Sequence, residues 1–175
     1  MLSKTQQRNK GFKKKHYEKY LSKLLNVNNF IWLKKGIEGD DTHGHIDDIS
    51  RFVSENTIMT AVENDKSEKN FQILNNNLKI LKNTKNKNKK KFRIIRIPMP
   101  KPIFINKTKV PASYLNFLIT NKIVLVPIFE DKNDIKVIQI FKKNFKKRKI
   151  IGINCKKLIW GFGAIHCMTL QEPSI

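Results

Sequence analysis

The chain has two cysteines, seven glycines and six prolines in 175 residues, and its basic side chains include little arginine. Cys155 and Cys167 are too few for a disulfide scaffold, and without a CxxC pair there is no structural zinc signature. A reducing compartment fits this usage. The N-terminus, Met1 to Lys10, is polar where a signal peptide would need an apolar core, and no apolar run approaches membrane-spanning length. The expectation is a cytoplasmic protein that does not enter a membrane. Acidic residues are also scarce: 14 Asp+Glu against 36 Lys+Arg give a net charge of +22 and a pI near 10.1. Such an excess favours adhesion to polyanions at low salt. Readout of a nucleic-acid sequence is less well supplied, because stacking platforms need aromatics and bidentate base contacts need arginine. The basic stretch Lys82 to Lys91 offers only lysine, asparagine and threonine. A basic nucleic-acid-adhering protein without catalysis stays open as an alternative.

What is present suffices for one domain of ordinary size, with a 39% hydrophobic share that leaves little apolar surplus. Tyr17, Tyr20, Leu21, Leu24 and Leu25 recur at helical spacing and predict an amphipathic helix from Phe12 to Asn26. Asn28 to Leu33 reads as a short buried strand. Phe71, Leu74, Leu78 and Leu81 mark a second helix, ended by a solvated Lys/Asn loop over 83–91, and Lys90 to Ile97 continues as a strand. Pro98, Pro100, Pro102 and Pro111 impose an extended connection, since proline fixes φ and lacks an N–H. Leu115–Thr120 and Ile123–Val126 flank Asn121-Lys122 as a hairpin or a tight strand pair. Ile138, Phe141 and Phe145 predict a third helix, with a strand from Lys149 to Ile153 after it. This alternation argues for α/β modules.

Two segments carry chemistry. In Gly161-Phe-Gly-Ala-Ile-His-Cys167 a single thiol follows paired glycines, whose backbone freedom suits presentation of a nucleophile; a buried free cysteine is the bland alternative. Gly39 to Asp48 holds four of the fourteen acidic residues and two of the four histidines. If this segment is extended, His43, His45 and Asp47 share a face. One use of such a face is a metal site, and His-x-His-x-Asp resembles the opening of the metallo-β-lactamase ligand motif. That motif continues with histidine where Asp48 stands, and only His166 follows downstream, so a dinuclear site is short of ligands. The other use is thiol chemistry on a cationic planar substrate. Asp47 would hold guanidinium N–H groups, His45 would move protons, and Cys167 would attack carbon. His166, next to Cys167, would face away from it in an extended segment, which leaves His45 as the partner.

Taken in order, Trp32-Leu33, Gly36 to Phe52 with its Asp-Asp-Thr-His-Gly-His-Ile-Asp-Asp core, Ile97-Pro-Met-Pro100, Pro111-Ala-Ser-Tyr-Leu-Asn-Phe117, Val126-Pro127 and Gly161 to Cys167 resemble agmatine deiminases and the bacterial peptidylarginine-deiminase-like family. The resemblance runs from about Leu2 to Pro173. It implies the C-terminal portion, residues 1–175, of a pentein-type α/β propeller with an incomplete set of ββαβ modules. It implies hydrolytic deimination of a guanidino substrate, agmatine to N-carbamoylputrescine and ammonia in putrescine synthesis. The implied nucleophile is Cys167, the general acid/base His45 and the guanidinium-binding carboxylate Asp47, without metal or organic cofactor. Many members carry an acidic residue where His43 stands. Two further acidic substrate ligands belong to the family's upstream half, so the implied partners include a separately encoded N-terminal half or a second copy. An inactive truncated remnant is the remaining alternative.

Overall fold

Two β-β-α-β units of identical topology frame the molecule. The computed structural model describes residues 9, 11–40 and 44–172. The first unit contains β1 (Ser50–Ser54), β2 (Thr57–Val62), α2 (Lys69–Asn83) and β3 (Arg93–Pro98). The second contains β6 (Leu118–Ile119), β7 (Ile123–Ile128), α3 (Asp134–Asn144) and β8 (Lys149–Asn154). In each, the first two strands pair antiparallel, and the helix carries the chain across to a third strand parallel to the second. Even the exits correspond: Met99 N donates to Val62 O after β3, and Cys155 N donates to Ile128 O after β8. The α/β expectation holds, and the alternation legible in the sequence resolves into this repeat.

The helices form where apolar side chains recur at the α-helical period. On α2, Leu74, Leu78 and Leu81 are buried along one stripe, and on α3 Val137 and Phe141 lead to buried Phe145 at the C-cap. Phe117 joins the last two in an aromatic cluster, its centroid 4.9 Å from that of Phe141. Asp134, in the first turn of α3, accepts hydrogen bonds from Phe129 N, Asp131 N and the Tyr114 hydroxyl, satisfying loop donors that burial would otherwise strand. The proline-rich connection contains no helix, but it does fold into a hairpin absent from the sequence expectation. Strands β4 (Ile103–Ile105) and β5 (Thr108–Val110) meet at Asn106-Lys107, both with positive φ.

Two other expectations are corrected. Helix α1 (Lys14–Leu25) forms as predicted, yet of its apolar residues Tyr17 is buried while Tyr20, Leu24 and Leu25 stay exposed. Residues 28–33 form no strand. The strap that follows is held by side chains instead of a neighbouring strand. Asn77, fully buried on α2, accepts from Lys34 N at 3.0 Å and donates to Lys35 O at 2.9 Å, and Asn70 accepts from Glu38 N at 2.7 Å. The two asparagines lie on one face of the helix, where their amides do the work of a strand edge.

Candidate active site

The chemistry-bearing residues arrive from three places. Asp48 and Asn116 each lie two residues before the first strand of a unit, so the repeat sets them side by side, and Cys167 comes from the loop after β8. Ala112 to Phe117, with Asn116 inside it, forms a buried pillar. Ser113 Oγ donates to Asp48 O at 2.8 Å, joining the pillar to the acidic segment.

Asn116 is the hub. Its Oδ1 accepts from Ala164 N at 3.2 Å and Cys167 N at 3.1 Å, and its backbone carbonyl accepts from His166 N at 3.0 Å. With the carbonyl oxygen fixed by two N–H donors, the NH2 must face the other way. Nδ2 lies 2.9 Å from Cys167 Sγ, 3.0 Å from Asp48 Oδ1 and 3.1 Å from Asp47 Oδ2. Asp47 Oδ2 also lies 2.7 Å from His166 Nδ1 and accepts from the Cys167 thiol at 3.4 Å. Among the described residues, the side-chain contacts of Asp47 with Asn116, His166 and Cys167 all fall on that one oxygen.

The histidines are arranged differently from the sequence expectation. Residues 46–48 and 166–168 are single 3-10 turns, so neither segment is extended. Tight turns break the alternation of faces. His45 turns to Asp40, whose carboxylate accepts from His45 N at 2.6 Å and meets Nδ1 at 2.9 Å, while His166 comes to Asp47 instead of facing away. His43 lies outside the described residues. The structure thus joins Cys167, Asp47, His166 and Asn116 in one hydrogen-bonded set, with His45 held beside it by Asp40. Sequence reasoning missed Asn116. The available signal was a lone amide in an otherwise apolar run, Tyr114-Leu-Asn-Phe117.

The paired glycines also divide their roles. The left-handed residue of the loop is Phe162, at φ 59°, not a glycine. A Cβ at Gly161 would meet nothing within 4 Å, but one at Gly163 would lie 2.6 Å from Cys167 Cβ and 3.1 Å from Sγ. Gly163 is required by close approach, and Gly161 is not.

Charge placement sets the resting state. Burial raises the Asp48 carboxyl to about 8, the Asp47 charge adds to it, and the Asn116 donor opposes both. One of its oxygens, Oδ2, is buried without a hydrogen-bond partner among the described residues. Burial also works on Asp47, but contacts with His166 and the Cys167 thiol outweigh it and hold Asp47 below the usual carboxylate range. The Cys167 thiol is pushed up to about 11, first by removal of Sγ from water, then by the carboxylates of Asp47 and Asp48, against the Asn116 N–H. The residue as a whole remains exposed, so a substrate can reach a thiol that is neutral at rest. Arg51, stacked 4.7 Å over Phe117 and donating to Phe117 O at 2.9 Å, is a half-buried cation in this neighbourhood. Burial lowers its pKa, and Asp47, Cys167 and Asp48 oppose that shift.

Asp40, His45 and Asp48 bring ligand-type atoms within 4.8 Å of one another, a different trio from the His43, His45 and Asp47 of the sequence expectation. Asp40 already spends both oxygens on His45, and Asp48 tends to hold a proton, so the trio suits the orientation of an imidazole better than a divalent cation.

Frame and site together define an α/β protein built around a solvent-reachable cysteine in a carboxylate-rich cluster. The chain belongs to the Porphyromonas-type peptidyl-arginine deiminase family, whose model matches residues 2–173. Agmatine deiminase of Pseudomonas syringae pv. tomato is 29% identical over 185 residues, 95% of this chain and 50% of the relative. Among solved structures, agmatine deiminase of Enterococcus faecalis superposes with a TM-score of 0.90 at 28% identity, over 97% of this chain and 51% of that one. A cysteine-to-serine variant of C. jejuni agmatine deiminase with substrate bound superposes with a TM-score of 0.86 at 29% identity, over 93% and 47%. The chain spans about half the length of the curated relatives it matches.

Proposed function

We propose that this chain carries the cysteine-bearing half of a deiminase site that hydrolyses a guanidino group, with agmatine as the substrate and N-carbamoylputrescine and ammonia as products, a step toward putrescine. One observation carries the reading: the Cys167 thiol lies against Asp47 and Asn116 in a chain of this deiminase family. In this reading the guanidinium settles on Asp47, whose Oδ1 accepts from none of the described side chains, while His166 and Asn116 hold Oδ2. A bound cation offsets the carboxylate charge that helps keep the thiol protonated, so substrate favours ionisation of its own attacker. The thiolate adds to the guanidinium carbon. His45, oriented by Asp40, delivers a proton to the departing nitrogen, and ammonia leaves an S-linked thiouronium. His45 then takes a proton from water, which attacks the same carbon and expels the thiolate with the ureido product. No step calls for a cofactor.

The two β-β-α-β units are read as modules of a pentein-type propeller. In this reading the site is completed by a separately encoded N-terminal half or by a second copy of the chain. The experiment incubates the chain, alone and with an upstream half, with agmatine. Intact mass then reports a Cys167 adduct, and an assay follows ammonia. Prior alkylation of Cys167 is expected to abolish both; ammonia release that survives it would overturn the reading. The net charge of +22 favours a second reading, adhesion to polyanions, which would show a steep salt dependence and be indifferent to Cys167.

A further inference from the structure

We infer that Asn116 is a positioning residue that governs the ionisation of Cys167, by dividing two amide protons among three acceptors. The inference rests on the deiminase reading only for its use in turnover; the hydrogen-bond argument stands on the site itself. An amide NH2 has two hydrogens. Three acceptors lie within 3.1 Å of Nδ2: Cys167 Sγ, Asp48 Oδ1 and Asp47 Oδ2. While the thiol is protonated it needs no donor, since its own S–H points to Asp47 Oδ2, and both amide protons serve the carboxyl groups. When the thiol proton leaves to solvent base, the sulfur becomes the strongest unmet acceptor and draws one N–H to itself. The carboxyl that gives up this bond is the one best able to do without it. Below about pH 8, where Asp48 holds its own proton, it can release the bond to the fraction of Cys167 that ionises without stranding a charge.

The remainder of Asn116 keeps this exchange in place. It is 1% exposed, and its Oδ1 and backbone carbonyl hold three backbone N–H groups of the cysteine loop, those of Ala164, His166 and Cys167. The amide therefore cannot follow the thiol outward. Among the described residues it is the one side chain that donates to Sγ. Arg51 acts on Sγ only through space, with its Nη1 committed to the Leu115 and Phe117 carbonyls.

The test uses the full chain and needs no turnover. Carbamidomethylation of Cys167 by iodoacetamide is followed by peptide mass across a pH series; buried Cys155 serves as the internal control. Asn116→Ala removes the donor without adding charge, and Asn116→Leu does so while keeping volume if the smaller side chain lets the pillar collapse. Loss of one charge-assisted N–H is expected to move the Cys167 midpoint up by about one unit, a roughly tenfold slower alkylation at any pH below it. A purely structural role predicts the opposite, because a loosened loop hydrates the thiol and brings its midpoint down toward a free cysteine. An unchanged or lowered midpoint in the folded variants overturns the inference and leaves the deiminase reading untouched. A raised midpoint in a chain that never deiminates agmatine would do the reverse.

Discussion

Gly163 and Cys167 approach so closely that a methyl group on the first would sit 2.6 Å from Cβ of the second. No relaxation of a flexible side-chain tip relieves such a contact, because both atoms are fixed to the same short loop. Gly163→Ala is therefore expected to shift the loop, lower stability by about 1–3 kcal/mol in urea unfolding, and change the alkylation rate of Cys167. Gly161→Ala meets open space and is expected to stay within about 0.5 kcal/mol of the parent. Equal effects of the two substitutions would contradict the close-approach argument.

Asp48 predicts an unusual pH dependence. Its carboxyl ionises near 3.8 in an ordinary setting and near 8 when buried here. Between those values the folded chain binds more protons than the unfolded one, so this group's contribution to stability falls as pH rises through that window and is lost above about 8. Asp47, held below its ordinary value, acts with the opposite sign at lower pH. Asp48→Asn removes the first contribution and leaves the second. The variant is expected to melt with a flatter pH slope and to gain about 1–3 kcal/mol above pH 8, where the parent carries a buried, half-partnered carboxylate. A steeper alkaline loss in the variant than in the parent would reject this.

Asn77 supplies the backbone partners that a strand would otherwise provide. Asn77→Ala leaves Lys34 N and Lys35 O without their hydrogen bonds at the edge of a buried side chain. A cost of about 1–3 kcal/mol is expected, together with faster amide exchange at Lys34. Exchange at Lys34 as slow as in the parent would show that the strap is held by something else.

These features mark how far the sequence could be read. Helices α1, α2 and α3 follow from apolar side chains at helical spacing, and β7 and β8 from short apolar runs, because a local pattern suffices for each. Residues 28–33 read as a strand from their apolar run, whereas the strap that follows them is held by Asn70 and Asn77, more than thirty residues away on a helix whose pattern advertises only its leucines. The hairpin at Asn106-Lys107 was hidden among prolines that argue against sheet. In the site, Cys167, His45 and Asp47 stood out through motif order. Asn116 did not, since its role exists only once two repeats bring residues 48 and 116 to equivalent places. The orientation of His166 depended on one turn of 3-10 helix, which alternation of faces cannot anticipate.

The two histidines can be separated by kinetics. His45 is oriented through Nδ1 by a fully buried Asp40 side chain, an arrangement that fixes the ring for the proton transfers proposed for it. His166 spends Nδ1 on Asp47, and so steadies the carboxylate assigned to the guanidinium. With agmatine and the complete deiminase, His45→Gln is expected to lower kcat by about 10²–10⁴, the span of a general acid/base group. His166→Gln is expected to act mainly through KM, by roughly tenfold, because it loosens a binding group and leaves proton transfer intact. If His166→Gln collapses kcat while His45→Gln leaves it standing, the roles are exchanged, and the proton carrier is the histidine adjacent to the nucleophile.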